Sequence, residues 1–280
     1  MTRPDPRLHA YRPDLADARL RGRVEAQAFA EGRPMQVIDP IVALRRTPHE
    51  DSPQVTQGLL GEIVSLYDQS DGWAWVQLQH DGYVGYVEAQ SLSAIVAGPT
   101  HRVAVPSTFL YPEPNLKTQP AVAVTLDARL NVTGGEGAFA ALDDGRYVFA
   151  GHLKPVDQFE PDFVAQALKF RDVPYYWGGK SVYGLDCSGL VQLALQSCGR
   201  AAPRDSDMQE SLGQPIEAGG LGNLGRGDLV FWKGHVGMMT DGLTLLHANG
   251  HHMMVVAEPL SEAVDRIAAQ GSAITHLRRL

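Results

Sequence analysis

Short apolar runs separated by turn residues dominate the first half of the chain after a polar leader. Residues 1–34 are rich in Arg, Asp and Pro, and their apolar positions predict one short charged helix over Asp14–Arg23. From residue 35 to residue 97, alternating segments lie between turn residues such as Asp71-Gly72 and Asp81-Gly82, at 35–38, 41–44, 62–67, 73–78 and 82–87. The pattern predicts a loosely packed leader over residues 1–34 and a small antiparallel β-barrel of about five strands over residues 35–97.

A second series of apolar runs repeats this arrangement over residues 98–156. The runs lie at 103–105, 121–126, 128–132, 138–142 and 146–150, and the Pro-rich segment Pro106–Lys117 predicts a loop. An apolar run, an Asp-Gly turn and an aromatic run follow one another over residues 73–87, and the same order recurs over residues 139–150. Recurrence of one hairpin pattern predicts two tandem barrels of the same type.

Helical and strand patterns are mixed in the rest of the chain, residues 157–280. Apolar positions three and four apart predict helices over Glu160–Phe170 and Ser188–Cys198, and Gly199 is placed to end the second. Four strand-like runs, a helix and a last strand follow at 227–232, 236–240, 244–248, 253–257, 259–270 and 273–277. Helices followed by an antiparallel meander predict an α+β domain.

Composition narrows the classes of partner. Hydrophobic residues make up 44% of the 280 residues and charged residues 20%, which is enough apolar surface for several folded cores. The net charge of −8 argues against a nucleic-acid partner, because phosphate binding needs clustered Lys and Arg. We find neither a signal-peptide core nor an apolar run of about 18 residues. We therefore expect a cytoplasmic protein that binds neither nucleic acid nor membrane.

The chain has two cysteines, Cys187 and Cys198. The predicted helix separates them by roughly 16 Å, at about 1.5 Å per residue, which is beyond disulfide reach. We therefore expect two free thiols, as in a reducing compartment. Cys198 lies on the apolar helix face without polar neighbours and fits a buried hydrophobic role.

Cys187 has the surroundings of a nucleophile. It follows Asp186 at the predicted start of a helix, where backbone N–H groups and the helix dipole favour an anion and lower a thiol pKa. The same N–H groups can stabilise the oxyanion of a tetrahedral intermediate. Aromatic residues and glycines surround it in sequence, at Tyr175, Tyr176, Trp177, Gly178, Gly179, Gly184 and Gly189. The alternative is a small buried hydrophobic residue.

A histidine pair is the best candidate for the base that such a thiol needs. His235 begins a predicted strand directly after a tight turn, and His247 follows twelve residues later. If Asp241-Gly242 turns the chain, the two histidines are nearly symmetric about the turn and their side chains become neighbours. A second imidazole can hold the first in the useful tautomer. A structural role for His235 is the alternative.

A metal site is the competing interpretation of the histidines. His247, His251 and His252 are close in sequence, but no Cys-x-x-Cys or His-Glu-x-x-His pattern accompanies them. His251 and His252 are adjacent and point to opposite faces of a strand. We expect them to be exposed residues at a strand start, and we expect neither a metal nor another cofactor.

Four short motifs resemble the NlpC-type cysteine peptidases of bacterial cell walls. They are Pro-Tyr-Tyr-Trp-Gly-Gly at 174–179, Gly-Leu-Asp-Cys-Ser-Gly-Leu-Val at 184–191, Gly-Asp-Leu-Val-Phe at 227–231 and Gly-His-Val-Gly at 234–237. The resemblance implies a papain-like core and cleavage of wall peptides, typically between γ-D-glutamate and a diamino acid. The predicted barrels resemble bacterial SH3-like domains through Gly-Trp-x-x-Val at 72–76 and Gly-Tyr-x-Gly-Tyr-Val at 82–87, although the second barrel lacks the tryptophan.

The resemblance also implies residue roles by motif position. Cys187 is then the nucleophile, His235 the general base and acid, and His247 the residue that orients His235. Tyr175 matches a motif tyrosine that helps the oxyanion. Five further residues would border the substrate: Asp186, Ser188, Arg204, Ser206 and Trp177.

Family members with N-terminal SH3-like barrels are similar to the chain as a whole. In that subgroup the first barrel closes one end of the cleft, so that only peptides with a free L-alanine amine fit. Here the tyrosine that holds the amine would be Tyr83 or Tyr86, and the acid Glu50 or Asp51. The alternative is that the tyrosines pack in a hairpin and the acids form a solvated turn.

The expected fold is therefore an α+β papain-like domain behind two small all-β SH3-like barrels. The expected function is a cysteine endopeptidase that removes L-alanyl-γ-D-glutamate from recycled muropeptides. One alternative keeps the fold but acts on another amide bond or transfers the acyl group. Another is a wall-binding protein whose peptidase domain is inert.

Overall fold

The computed structural model describes residues 3–217 and 220–280, and the chain divides into two compact units. The first unit is Met1–Gln158 and the second is Phe159–Leu280. This limit lies close to the predicted boundary between residues 156 and 157. No helix in the described ranges is long and apolar enough to cross a membrane.

The leader is extended where a helix was predicted. It contains the parallel strands β1 (Leu15–Asp17) and β2 (Ala28–Ala30), with one turn of 3₁₀ helix at Ala18–Leu20. The prediction of a helix over Asp14–Arg23 is wrong because the backbone groups of this segment bond elsewhere. The N–H of Asp17 donates to the carbonyl of Ala10, and the carbonyl of Asp14 accepts from Ala28.

The leader is also firmly attached, not loosely packed as predicted. The Arg12 guanidinium lies 4.3 Å from the centre of the Trp75 ring and donates to Asp68 at 2.7 Å. The hydroxyl of Tyr67 donates to Asp17 at 2.7 Å. Because these contacts combine ring packing with charge-assisted hydrogen bonds, the leader is part of the first unit's core.

The first β assembly is one seven-stranded antiparallel sheet. Its strands run in the order β5-β4-β8-β7-β6-β3-β9. They are β3 (Arg33–Val37), β4 (Ile41–Arg45), β5 (Gln54–Leu59), β6 (Ile63–Ser70), β7 (Trp73–Leu78), β8 (Val84–Glu88) and β9 (Leu92–Ser93). The five predicted runs are strands, and β5 escaped prediction because its buried positions include Gln54, Thr56 and Gln57.

The second β assembly consists of two smaller sheets. They have the orders β13-β10-β17 and β12-β11-β16-β15-β14. The strands are β10 (His101–Val103), β11 (Ser107–Tyr111), β12 (Val122–Thr125), β13 (Arg129–Leu130), β14 (Val132–Glu136), β15 (Phe139–Leu142), β16 (Tyr147–Phe149) and β17 (Leu153–Pro155). The predicted loop Pro106–Lys117 therefore contains a strand, which pairs on both sides with β12 and β16.

The second unit has the predicted mixture of helices and an antiparallel meander. Its helices are α1 (Phe163–Leu168), α2 (Cys187–Ser197), α3 (Ser206–Gln209) and α4 (Leu260–Ala269). Its strands are β18 (Lys180–Ser181), β19 (Gly184–Leu185), β20 (Gln214–Pro215), β21 (Leu229–Trp232), β22 (His235–Met239), β23 (Thr244–Asn249), β24 (Met254–Pro259) and β25 (Ile274–Arg279). The main sheet has the order β20-β25-β21-β22-β23-β24.

Helix α2 is buried along its whole length, and it packs against β22 of the main sheet. Polar side chains buried here without hydrogen-bond partners would destabilise the fold. The burial of α2 is favourable because Leu190, Val191 and Leu195 are apolar. The consequence for function is positional. The first residue of α2 is Cys187, and the first residue of β22 is His235.

Candidate active site

Cys187 occupies the first turn of α2, where a carboxylate fixes the backbone. Asp186 is the N-cap residue, and its Oδ1 accepts from the N–H of Gly189 at 2.7 Å. Its Oδ2 accepts from the N–H of Gly178 at 2.8 Å. A Cβ at Gly189 would lie 2.2 Å from the carbonyl oxygen of Gly179, so this approach needs a glycine. The glycines of the motif therefore permit the tight turn on which the cysteine sits.

A buried ion pair supports this turn. Arg204 donates from Nη1 to Asp186 Oδ1 at 2.9 Å and from Nη2 to Oδ2 at 2.7 Å, and it also donates to Ser188 Oγ at 3.0 Å. Arg204 is only 1% exposed, and Asp186 and Ser188 are buried. Their predicted role at the border of the substrate stays a prediction. Their polar groups bond to one another and so support the backbone at the start of α2, where Cys187 lies.

The environment of the thiol differs from the predicted one. Burial, together with the neighbouring Asp186 carboxylate, raises the pKa of Cys187 to about 12. The backbone N–H groups of Val236 and Ser188 bond to the sulfur and oppose this shift. The helix terminus favours a thiolate, but burial and a carboxylate outweigh it. In the resting protein the thiol is therefore protonated.

The two predicted histidines are in contact. His235 Nε2 lies 2.8 Å from His247 Nδ1. Met238 pairs with Leu246, and continuing this register places His235 opposite Asn249, so the two rings meet diagonally and not face to face. The residue opposite His247 in this register is Gly237, which has no side chain to separate them. The predicted contact is confirmed, although the turn is centred one residue later than predicted.

The hydrogen-bonded line continues to a residue that the sequence did not indicate. His247 Nε2 lies 2.6 Å from Glu258 Oε1, and Arg266 donates to both oxygens of Glu258 at 2.5 and 2.8 Å. Leu245 pairs with Glu258, so Glu258 is again one diagonal step from His247. The strand predicted at 253–257 ended one residue too early to include it. A single acidic residue at the end of an apolar strand was the available signal.

Burial keeps both imidazoles neutral. It lowers the pKa of His235 to about 3, with a smaller contribution from the neighbouring His247. Burial also lowers the pKa of His247, against the opposing effect of Glu258. A neutral imidazole carries one ring proton and one lone pair. Because Nε2 of His235 is engaged by His247, Nδ1 is the nitrogen that remains for another partner.

The other predicted residues of the second unit lie near this site to different degrees. Tyr175 is half-buried, and burial raises the pKa of its hydroxyl above the usual range, with a smaller contribution from the neighbouring Asp186 carboxylate. It therefore stays a proton donor at neutral pH. Trp177 is 63% exposed, and Ser206 is half-buried in the first turn of α3. Their roles toward substrate stay predictions.

The predicted amine-binding residues lie in the first unit. Tyr83 is 4% exposed and belongs to the core of the first β assembly, which favours the alternative that it packs in the hairpin. The hydroxyl of Tyr86 accepts from Arg12 at 3.1 Å. Glu50 and Asp51 are exposed in the turn between β4 and β5. For Tyr86, Glu50 and Asp51 the predicted role stays a prediction.

The remaining cysteine and histidine predictions concern redox state and metals. Cys187 and Cys198 are both free thiols, as predicted. His251 and His252 are exposed in the turn before β24. Across residues 3–217 and 220–280, no three His, Cys, Asp or Glu side chains converge as a metal-binding group.

Comparison with known proteins agrees with this arrangement. Residues 172–267 match the NlpC/P60 family, and residues 44–92 match the bacterial dipeptidyl-peptidase Sh3 domain. A gamma-D-glutamyl-L-lysine dipeptidyl-peptidase of Bacillus cereus is 26% identical over 238 residues, which cover 74% of this chain and 70% of that protein. The protein of the same name in Bacillus subtilis is 27% identical over 216 residues, covering 69% and 71%.

Solved structures share the fold. An NlpC/P60 family protein from Bacillus cereus superposes with a TM-score of 0.74 at 21% identity, covering 88% of this chain and 99% of that one. Cys187 and His235 lie within the matched segment, in the geometry described above. The chain therefore carries an NlpC/P60 cysteine peptidase domain behind an all-β region that includes a bacterial SH3 domain.

Proposed function

We propose that this peptidase hydrolyses the amide bond between γ-D-glutamate and a diamino acid in peptides derived from peptidoglycan. The observation that carries the proposal is the contact between His235 Nε2 and His247 Nδ1 at 2.8 Å, which leaves the other nitrogen of His235 for the Cys187 thiol. The bond type is supported by two relatives that are named gamma-D-glutamyl-L-lysine dipeptidyl-peptidases.

The first half-reaction forms an acyl-enzyme. His235 Nδ1 takes the thiol proton as Sγ of Cys187 attacks the carbonyl carbon of the γ-glutamyl group. Because thiol and imidazole both rest neutral, this proton transfer accompanies the attack and does not precede it. The N–H groups at the start of α2 and the Tyr175 hydroxyl stabilise the oxyanion. His235 then gives its proton to the leaving amine, the C–N bond breaks, and a thioester remains.

The second half-reaction releases the acid. His235, again neutral, removes a proton from a water molecule that attacks the thioester carbonyl. Collapse of the second tetrahedral intermediate breaks the C–S bond and returns the proton to Cys187. The products are a γ-carboxylate on the N-terminal fragment and a free amine on the diamino acid. No redox step or metal enters this sequence.

The finer features expected from the sequence are also part of this proposal. The peptidase domain has a papain-like arrangement, and the second β assembly is a further SH3-like barrel. Substrates carry a free N-terminal L-alanine, whose amine is bound by Tyr86 together with Glu50 or Asp51. The protein acts in the cytoplasm on recycled muropeptides. Subcellular fractionation tests this location.

Mass spectrometry of digests tests the bond, the nucleophile and the amine together. Wild-type protein should split L-Ala-γ-D-Glu-L-Lys or its diaminopimelate analogue into L-Ala-γ-D-Glu and the diamino acid. C187A should lower the rate by at least about a thousandfold, while C198A removes the other thiol and should keep it within about twofold. N-acetylation of the alanine should block cleavage. Turnover by C187A would refute the mechanism, and equal rates on free and acetylated peptide would refute amine recognition.

The same digests separate the two alternatives. Cleavage at another bond, or transfer of the acyl group to an added amine, would identify a different amidase or an acyltransferase of the same fold. An absence of products with every peptide, together with unreactive Cys187, would favour a wall-binding protein. The contact between His235 and His247 favours a catalytic protein over the wall-binding alternative.

A further inference from the structure

A carboxylate outside the sequence motifs lies at the far end of the histidine pair. His235, His247 and Glu258 stand on three neighbouring strands, each one diagonal step from the last. Their contacts are 2.8 Å between the two rings and 2.6 Å from His247 Nε2 to Glu258 Oε1. We call this set the His–His–Glu line. It connects the base to Arg266, which lies on α4 and donates to both oxygens of Glu258.

The contacts of Glu258 determine its charge. A carboxylate that accepts two hydrogen bonds from one guanidinium is ionised. Burial alone would raise the pKa of Glu258, but the hydrogen bonds from His247 and Arg266 hold it below its usual range. An ionised carboxylate only accepts hydrogen bonds, so the proton in the 2.6 Å contact belongs to His247 Nε2. Asn249 Nδ2 lies 3.0 Å from the same nitrogen, and with that proton in place this contact is not a hydrogen bond.

This proton decides the state of both rings. Because neutral His247 carries its proton on Nε2, its Nδ1 has the lone pair and accepts from His235 Nε2. Neutral His235 then carries its proton on Nε2, and its own lone pair is on Nδ1. Nδ1 is the nitrogen left for the thiol, so the fixed tautomer is the one that can act as a base.

The geometry points to Glu258, held by Arg266, as a positioning residue that sets the tautomer of His235 through His247. The kinetic consequence rests on the proposed peptidase function, whereas the tautomer itself is independent of the substrate. Without the carboxylate, His247 can place its proton on either nitrogen. A proton on Nδ1 of His247 would face the His235 Nε2 proton and force His235 into the unreactive tautomer.

Nitrogen NMR of the unmodified protein gives the first test, since it needs no variant of Glu258. Protein labelled with ¹⁵N-histidine at neutral pH should show both rings neutral, each with its proton on Nε2. Spectra of H235Q and H247Q assign the two rings among the ten histidines of the chain. A His235 ring protonated on Nδ1, or a His247 ring unprotonated on Nε2, would overturn the inference.

Kinetics of E258Q give the second test. We expect kcat to fall by roughly 10- to 100-fold with KM little changed, as when a carboxylate that orients a functional histidine is lost. E258D retains the charge and should recover part of the loss. The matched control is E262Q, which makes the same chemical change at a different place. Glu262 is exposed in the first turn of α4. Wild-type kcat in E258Q would overturn the inference.

A structural role and a failed substrate assignment give different results. If E258Q lost activity while its ¹⁵N spectrum still showed both protons on Nε2, Glu258 would be structural and the inference would be wrong. If no peptide were cleaved by the wild type, the proposed function would fail, but alkylation of Cys187 in a C198A background would still report on His235. There we expect E258Q to slow alkylation by iodoacetamide and E262Q to leave it unchanged.

Discussion

In the proposed mechanism, His235 is the residue whose protonation limits the reaction at low pH. It must be neutral to take the thiol proton, and its burial beside a second imidazole opposes a positive charge. Glu258 opposes this effect but lies one ring farther away. The net result is a base that remains deprotonated well below the pKa of about 6.5 of a free histidine. We therefore expect the proposed activity to extend into the acid range.

The first prediction follows from the lowered pKa of His235. A pKa lowered to about 3 keeps His235 in its basic form as the pH falls, so the acid limb of kcat/KM should lie well below pH 6.5. The measurement is kcat/KM between pH 4 and pH 8 on the peptide that the enzyme cleaves. A half-maximal rate near pH 6.5 would contradict it.

Stability must be followed in the same experiment. Between about pH 6.5 and about pH 3 an unfolded chain binds a proton at residue 235 that the folded chain does not, so the free energy of unfolding falls as the pH falls. Circular dichroism at each pH shows whether the protein is folded. Only pH values at which it is folded count toward the acid limb.

At the scale of elements, α2 depends on a charge pair under its first turn. Arg204 and Asp186 are both buried, and each compensates the other's loss of hydration. Removing Arg204 leaves the buried Asp186 carboxylate with uncharged donors alone, the N–H groups of Gly178 and Gly189 and the Ser188 hydroxyl. The start of the helix, and with it the position of Cys187, then loses its support.

Replacing Arg204 should therefore be costly. R204M keeps the length of the side chain but removes the charge, and we expect the free energy of unfolding to fall by about 3–5 kcal/mol. The control is R226M, because Arg226 forms an ion pair with Asp162 that is about half exposed, where the loss should be below about 1 kcal/mol. Urea unfolding of both variants measures the difference. Equal losses of unfolding free energy in the two variants would show that the buried ion pair stabilises the fold no more than the exposed one.

Elements with strong periodicity were the ones that could be predicted from sequence. Helix α2 and strands β21 to β23 were found because their apolar residues recur at helical or strand spacing. Turn residues between β22 and β23 were enough to predict that His235 and His247 meet. The leader strands could not be found, because contacts distant in sequence decide their backbone pairing.

Other features of the site depend on distances that sequence patterns do not contain. The helix terminus at Cys187 was visible, but the degree of burial that raises its pKa was not. The motif around Arg204 gave no sign that its guanidinium is buried and bonded to Asp186 and Ser188. Glu258 was not predicted because the last strand before α4 was expected to end at residue 257. Its diagonal contact with His247 therefore lay outside the predicted sheet.

At the scale of the whole chain, Leu60 connects the two β assemblies of the first unit. Leu60 follows β5 of the first assembly, but it is 7% exposed and packs in the core of the second, with Val103, Leu110 and Leu130. Its carbonyl accepts from the N–H of Arg129 at 2.8 Å. The backbone of Leu60 continues from the first assembly, whereas its side chain packs in the core of the second. Leu60 therefore couples the stability of the two assemblies.

Truncating Leu60 should therefore loosen the second assembly more than its own. L60A removes a buried side chain, which costs about 2–5 kcal/mol in a well-packed core. Hydrogen exchange followed by mass spectrometry should show faster exchange in peptides from residues 100–155, although the substitution lies in the first assembly. I95A is the control, because Ile95 is 82% exposed in the same unit and its truncation should change no segment. Faster exchange confined to residues 54–63 would show that the two assemblies are energetically separate, since the lost packing would then be felt only where the chain was altered.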